Sequence, residues 1–264
     1  MNDPMLEKLL HSKNYQCVCP DAVRRIYAEC CQKYKKPRDA EKAAREQLHG
    51  LTGAFLTRDE SAACLRDMQV WATDGRSDAD LERALTRHAS TRERLPLARM
   101  DGMYAHIFEV TGAPSSVLDL ACGLNPLYLG ARGISCTGVD VSGEAVKDVN
   151  ACAADYGLPI RAVCADLLCE NAVPAEHYEL ALLFKILPLL ERQRCGAAMD
   201  VMRAANAKYL AISFPTRTLG GRNVGMEGIF SAWMEGHLPV NRRIAARFTE
   251  ENELFYILEE VHNA

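Results

Sequence analysis

The sequence predicts an α/β protein whose largely parallel sheet follows a helical N-terminal extension. Two observations carry this. From Pro114 onward, short β-branched or apolar runs alternate with helical stretches, and such βα alternation builds a parallel sheet with helices on both faces. Before Pro114, apolar residues recur only at helical spacing, with no alternating strand pattern. The predicted division is residues 1–113, helical, and residues 114–264, α/β. A length of 264 residues suits one catalytic-sized domain with an appendage.

In the extension, Pro20-Asp21 starts a helix along which Ala22, Val23, Ile26, Tyr27 and Cys30 recur at helical spacing. Pro37 opens a second, through Ala40, Ala43, Ala44 and Leu48 to a stop at Gly50. A third spans Arg58 to Ala72, a fourth Asp78 to His88 and a fifth Leu97 to Val110, before the break Thr111-Gly112-Ala113-Pro114. Strands are expected at Ser116–Ala121, Cys136–Val141, Ile160–Cys164, Leu180–Phe184 and Tyr209–Phe214. Ile244–Phe248 and Leu254–Leu258, parted by a short polar turn, read as a closing hairpin.

Composition narrows the class. Hydrophobic residues make up 48%, charged residues 25% and the net charge is −4, which excludes a polycation and argues against a disordered chain. No run approaches the ~18 apolar residues of a membrane span, and MNDPMLEKLL lacks the pattern of a secretory signal. The eleven cysteines are therefore expected to be reduced and structural, in the cytoplasm. No CxxC with a matching partner suggests a metal. The charge is uneven: residues 1–58 hold eleven Lys/Arg against seven acids, leaving −8 for the remainder. A basic end on an acidic body fits a polyanion partner, or equally a solvated helix face.

Chemistry concentrates at strand ends. In Val117-Leu-Asp-Leu-Ala-Cys-Gly-Leu-Asn-Pro126 an apolar strand runs into a turn carrying Asp119, Ala121 and Gly123. Ligands of open α/β sheets bind at the carboxyl ends of strands. The G-x-G-x-x-G of a dinucleotide site is missing, and Asn125-Pro126 stands where a helix-opening glycine would, so the turn suits a cationic ligand without phosphate. Asp140 ends the next strand, placed to take both ribose hydroxyls of a nucleoside. Asp166, followed by Leu167, ends the third, within reach of an adenine amino group. Three successive strands ending in Asp suggest S-adenosylmethionine; the plainer alternative is that each caps a helix.

These features resemble a class I S-adenosylmethionine-dependent methyltransferase with a Rossmann-like sheet. In detail they resemble the 16S rRNA methyltransferases that confer aminoglycoside resistance by methylating guanine 1405 at N7. The stretches that carry this are Leu48-His-Gly50, His88-Ala-Ser-Thr-Arg-Glu-Arg-Leu95, Leu118-Asp-Leu-Ala-Cys-Gly-Leu-Asn-Pro126, Phe184-Lys-Ile-Leu-Pro-Leu-Leu-Glu191 and Ser213-Phe-Pro-Thr-Arg-Thr-Leu-Gly-Gly-Arg222. The resemblance implies that residues 1–113 dock on the ribosomal small subunit and that residues 114–264 form the methyltransferase domain. It also implies that Arg94 meets the methionine carboxylate, Asp140 the ribose and Asp166 the adenine, with S-adenosylhomocysteine as product. Residues 61–80, with Trp71 and Asp74-Gly75-Arg76, form a connector longer than the family pattern suggests.

Guanine N7 is a lone-pair nucleophile with no proton to lose, so no general base is expected. Lys185, just beyond an apolar strand, is the candidate to hold O6. Arg217 and Arg222 lie in the glycine-rich loop Pro215–Gly228, expected to lie over the site as a lid and to grip RNA phosphate or the flipped base. Lys8, Lys13, Arg24, Arg25, Lys35 and Lys36, with His49 and Arg87, are the expected contacts to 16S rRNA in the 30S subunit. Tyr15, Tyr27, Tyr34 and Phe55 could stack on bases but fit helix cores as well. No membrane contact is expected, and the chain is expected to be a monomer. Two other readings stay open: a small-molecule methyltransferase with a helical lid, and a noncatalytic RNA-binding protein.

Overall fold

The computed structural model describes residues 3–52, 56–216 and 225–261. Seven helices come first: α1 (Pro4–Leu10), α2 (Pro20–Lys33), α3 (Pro37–Thr52), α4 (Arg58–Thr73), α5 (Asp78–Leu85), α6 (Ala89–Arg92) and α7 (Leu97–Thr111). Several start where local chemistry favours it. Proline sits in the first turn of α2, where its missing N–H is not needed. Thr57 and Glu60 form a reciprocal capping box at α4, and Ser77 caps α5.

The sheet comprises β1 (Val117–Leu120), β2 (Cys136–Asp140), β3 (Ile160–Cys164), β4 (Tyr178–Phe184), β5 (Ala207–Pro215), β6 (Arg242–Glu250) and β7 (Glu253–Glu260). Between strands run α8 (Asn125–Ala131), α9 (Gly143–Tyr156), α10 (Leu187–Gln193), α11 (Ala197–Ala204) and α12 (Met226–Gly236). Strand order is β3-β2-β1-β4-β5-β7-β6. β1 to β5 are parallel, whereas β7 runs antiparallel to both β5 and β6. The order reverses between β1 and β4, which opens a crevice at their carboxyl ends.

Both faces of the sheet are covered, so its central strands are buried without alternation: β1 is buried throughout. On one face Met68, Trp71, Leu81, Met100 and Ile107 of α4, α5 and α7 pack with Val117, Leu127 and Leu180. On the other, Leu118, Val139 and Leu183 pack with Leu187, Val201 and Met234 of α10 to α12. The helices of residues 4–111 therefore do two different jobs. α4, α5 and α7 complete the main core, while α1 to α3 form a third cluster around Val23, Ile26 and Leu48, against Val141 and Cys164 at the ends of β2 and β3. The Cys19 N–H donates to the Val141 carbonyl (2.8 Å) and the Gly143 N–H to that of Cys17 (2.7 Å).

The structure answers several expectations in detail. α3 continues through Gly50 to Thr52. Asn125-Pro126 opens α8, with proline in its first turn. The loop expected to reach Gly228 gives way to helix at Met226. The connector 61–80 is folded into α4 and α5, where Trp71 is fully buried. Tyr15 and Tyr27 are core residues, and Phe55 lies outside the described residues. All eleven cysteines are free.

Candidate active site

The carboxyl ends of β1 to β3 gather the predicted acids. Asp140 is buried and accepts the Gly123 N–H on one oxygen and the Ser142 N–H on the other, each at 2.8 Å. Burial raises its pKa against the lowering pull of those two N–H groups. The two carboxylate oxygens together offer about four lone-pair sites, so capacity remains for a ligand hydroxyl. Asp119 is buried beneath the turn, where the Asn125 amide donates to it (2.6 Å) and also to the Tyr104 hydroxyl (2.8 Å). Burial pushes Asp119 up to about 7, although Asn125 and Arg94 oppose the rise.

Backbone strain marks the same strand ends. Ala121 and Lys185 have φ of 63° and 57°, a left-handed conformation costing a non-glycine residue roughly 1–2 kcal/mol. Gly123 also has positive φ (51°), and a Cβ there would lie 2.6 Å from His88 and 2.7 Å from the Ser90 hydroxyl. The glycine thus admits α6 against the turn. His88 is buried and its pKa is lowered by desolvation, in spite of Asp140 nearby.

A cleft of about 380 Å³ lies beside Asp140 and Asp166, with apolar walls from Ala121, Val139, Leu167 and Ile186. Asp166 takes the Leu168 N–H (3.0 Å) on one oxygen and the Arg25 Nε–H (2.7 Å) on the other. Arg25 was expected to face RNA. It points inward instead, with its side chain only 14% exposed, because Asp166 offers a charge partner at the cleft rim.

A second cleft, of about 400 Å³, is lined by Glu93, Arg94, Arg99, Lys185, Glu253 and neighbours. Arg94 is buried, and its two-pronged partner is Glu253: Nε to Oε1 at 3.0 Å and Nη2 to Oε2 at 3.1 Å. Its Nη1 donates to the Ser90 carbonyl (2.9 Å), leaving two guanidinium N–H groups without a partner among the described residues. Lys185 Nζ lies 2.9 Å from Glu93 and 3.1 Å from Glu253. Burial would raise the Glu253 pKa, but Arg94 and Lys185 hold it at about 2. Sequence reasoning found both cations and missed both carboxylates.

Among the other predicted residues, Arg217 and Arg222 lie outside the described residues. Lys13, Lys35, Lys36 and His49 are exposed. Lys8 pairs with Glu41, Arg24 with Asp21 and Arg87 with Asp67. These side chains sit apart from the two clefts.

The donor set fits S-adenosylmethionine: carboxylates at strand ends for ribose and amino group, apolar walls for a purine, and an arginine with donors to spare for a carboxylate. A family model described as ribosomal RNA methyltransferase (FmrO) matches residues 11–250. The chain belongs to that family. The methyltransferase is 42% identical to the 16S rRNA (guanine(1405)-N(7))-methyltransferase of Serratia marcescens, over 96% of each chain. It is 34% identical to the protein of the same name from Frankia casuarinae, over 97% of this chain and 93% of that one. The crystal structure of the 16S rRNA methyltransferase RmtF in complex with S-adenosyl-L-homocysteine matches with a TM-score of 0.88 and 42% identity, covering 99% of this chain and 100% of that one. The fold is that of class I methyltransferases, and the enzyme is S-adenosylmethionine-dependent. No helix among the described residues is long and apolar enough to cross a membrane.

Proposed function

We propose that this methyltransferase modifies N7 of guanine 1405 in 16S rRNA, acting as a monomer on the assembled 30S subunit in the cytoplasm, and so confers aminoglycoside resistance. The observation that carries the reading is the placement of Lys185, in a chain whose near-full-length relatives bear that name. Its ammonium and the Arg94 guanidinium share Glu253 as partner, in a cleft between the end of β4 and the turn that joins β6 to β7.

Guanine N7 needs no proton removed, so the protein's task is positioning, which in a well-oriented case supplies ~7–11 kcal/mol. S-adenosylmethionine, when bound, supplies an electrophilic methyl on a sulfonium. Lys185 donates to guanine O6, Arg94 binds the cofactor carboxylate, Asp140 the ribose and Asp166 the adenine amino group, with Ala121, Gly123 and Leu167 shaping the walls. Asp119 holds the turn in place. Extruding the target base costs a few kcal/mol, which Arg217 and Arg222 help to offset by gripping phosphate or base. Residues 1–113 supply docking through Lys8, Lys13, Arg24, Lys35, Lys36, His49 and Arg87, and residues 114–264 supply the chemistry.

A small-molecule methyltransferase with a helical lid would have a closed apolar substrate pocket. The cleft beside Lys185 is lined instead by charge, including Glu93, Arg99 and Glu253. Against a noncatalytic RNA-binding protein stands the intact acid set at the strand ends. Purified enzyme with labelled S-adenosylmethionine, offered 30S subunits, naked 16S rRNA or a small-molecule extract, tests the reading. Label entering only the extract would overturn it.

A further inference from the structure

α2 carries an arginine that belongs to the cofactor cleft. Arg25 reaches three elements at once. Its Nε–H donates to Asp166 beyond β3 (2.7 Å), its Nη2 to Gln193 at the end of α10 (3.2 Å), and its Nη1 to Glu29 one turn along α2 (3.1 Å). Burial works against its charge, but Asp166 and Glu29 more than compensate, and its pKa is raised. The Leu168 N–H and Arg25 together fix both oxygens of Asp166 in one orientation. A solvated RNA-docking arginine would instead extend outward.

We infer that Arg25 is a positioning residue of the cofactor site, holding the Asp166 carboxylate so that it accepts from an exocyclic amino group and rejects a carbonyl at the same place. This rests on the reading that Asp166 faces the adenine. A carboxylate oxygen fixed as an acceptor bonds an adenine N–H but repels the oxygen of hypoxanthine. A site built to bond one polar group discriminates steeply against an analogue lacking it, because the buried partner is left unpaired. Arg25 thereby makes the first helices of the chain part of the nucleoside selection, through one hydrogen bond.

Calorimetric titration with S-adenosylhomocysteine and S-inosylhomocysteine tests this without turnover. The wild type should prefer the adenosine ligand by about a hundredfold or more. Arg25→Ala should bind S-adenosylhomocysteine about tenfold more weakly and lose much of the preference, because Asp166 is then free to turn. Arg25→Lys, which keeps the charge but not the planar fork, should fall between, and it carries the test if the alanine variant does not fold. An unchanged preference with only a lower melting temperature would make Arg25 a structural tie and overturn the proposal. So would unchanged ligand affinity with weaker 30S binding, the signature of an RNA contact. Asp166→Ala separates the two layers. If it leaves the preference intact, the placement of Asp166 is wrong. If it abolishes the preference while Arg25→Ala does not, only the role of Arg25 falls.

Discussion

Arg94 and Glu253, 159 residues apart in sequence, form a buried two-pronged ion pair at the carboxyl end of the sheet. The Ser213 hydroxyl donates to the same carboxylate (2.7 Å), and Lys185 approaches it from β4. One glutamate thus organises both cations of the cleft. Among the described residues each cation retains donors beyond these pairs, so the network is a scaffold with hydrogen-bonding capacity to spare.

Breaking a buried pair from one side leaves an uncompensated charge. Glu253→Ala should therefore destabilise the fold by about 3–5 kcal/mol, read by urea denaturation. Removing both partners in Arg94→Met/Glu253→Leu should cost less than the single change. A double variant as unstable as the sum of the singles would show that the pair is not coupled.

Lys185→Ala should lower methylation of 30S subunits at least a hundredfold, the scale of losing one positioned donor, while S-adenosylhomocysteine binds nearly as before. Collapse of that affinity would make Lys185 a cofactor residue. Because Lys185 sits at positive φ, Lys185→Gly should be inactive yet relieve roughly 1 kcal/mol of backbone strain relative to the alanine variant.

Asp119 sets a pH dependence. Burial raises its pKa to about 7, and a bound cation favours the ionised form, so binding S-adenosylmethionine expels a proton. Affinity is then full above pH 7 and falls as pH drops through it, by up to about tenfold per unit. S-adenosylhomocysteine, with a neutral sulfur, should show a flatter profile, and Asp119→Asn should flatten both. Parallel profiles for the two ligands, unaltered in the variant, would contradict this.

Asp148 on α9 is a second buried acid, outside the clefts. Ser61 donates to one oxygen (2.9 Å) and the other has no partner among the described residues. Burial raises its pKa to about 6 from 3.8, so its ionisation favours the unfolded chain. That penalty is absent below about pH 4, grows between 4 and 6 and is constant above. Asp148→Asn should gain about 1–2 kcal/mol at pH 7.5, after allowance for relaxation, and nothing near pH 4. An equal gain at both pH values would place the effect elsewhere.

Gly123→Ala should cost about 1–3 kcal/mol and weaken cofactor binding, since the added methyl meets His88 and Ser90 at a positive φ. A variant of unchanged stability and affinity would mean that α6 yields freely.

The sheet was legible because its signals are local. The run Ile160–Cys164 matches β3 residue for residue, and the hairpin of β6 and β7 follows from two apolar runs around a polar turn. Asp140 and Asp166 were legible because a strand's end fixes where its last acid must sit. Glu253 was not: nothing near it in sequence announces a partner in α6's following turn. The inward course of Arg25 was not legible for a related reason. On an amphipathic helix, a basic residue at the boundary faces solvent or a neighbouring acid depending on what packs there, and Asp166 arrives from 141 residues away. The two-part packing of the first seven helices, some on the sheet and some at its edge, likewise depends on contacts across the chain.

The central claim is tested most directly by mapping the modified nucleotide. 30S subunits treated with the enzyme and S-adenosylmethionine, then with borohydride and aniline, should show strand scission at guanine 1405, absent when the cofactor is omitted and absent with Lys185→Ala. Intact RNA at that guanine after treatment with active, cofactor-binding enzyme would contradict the account.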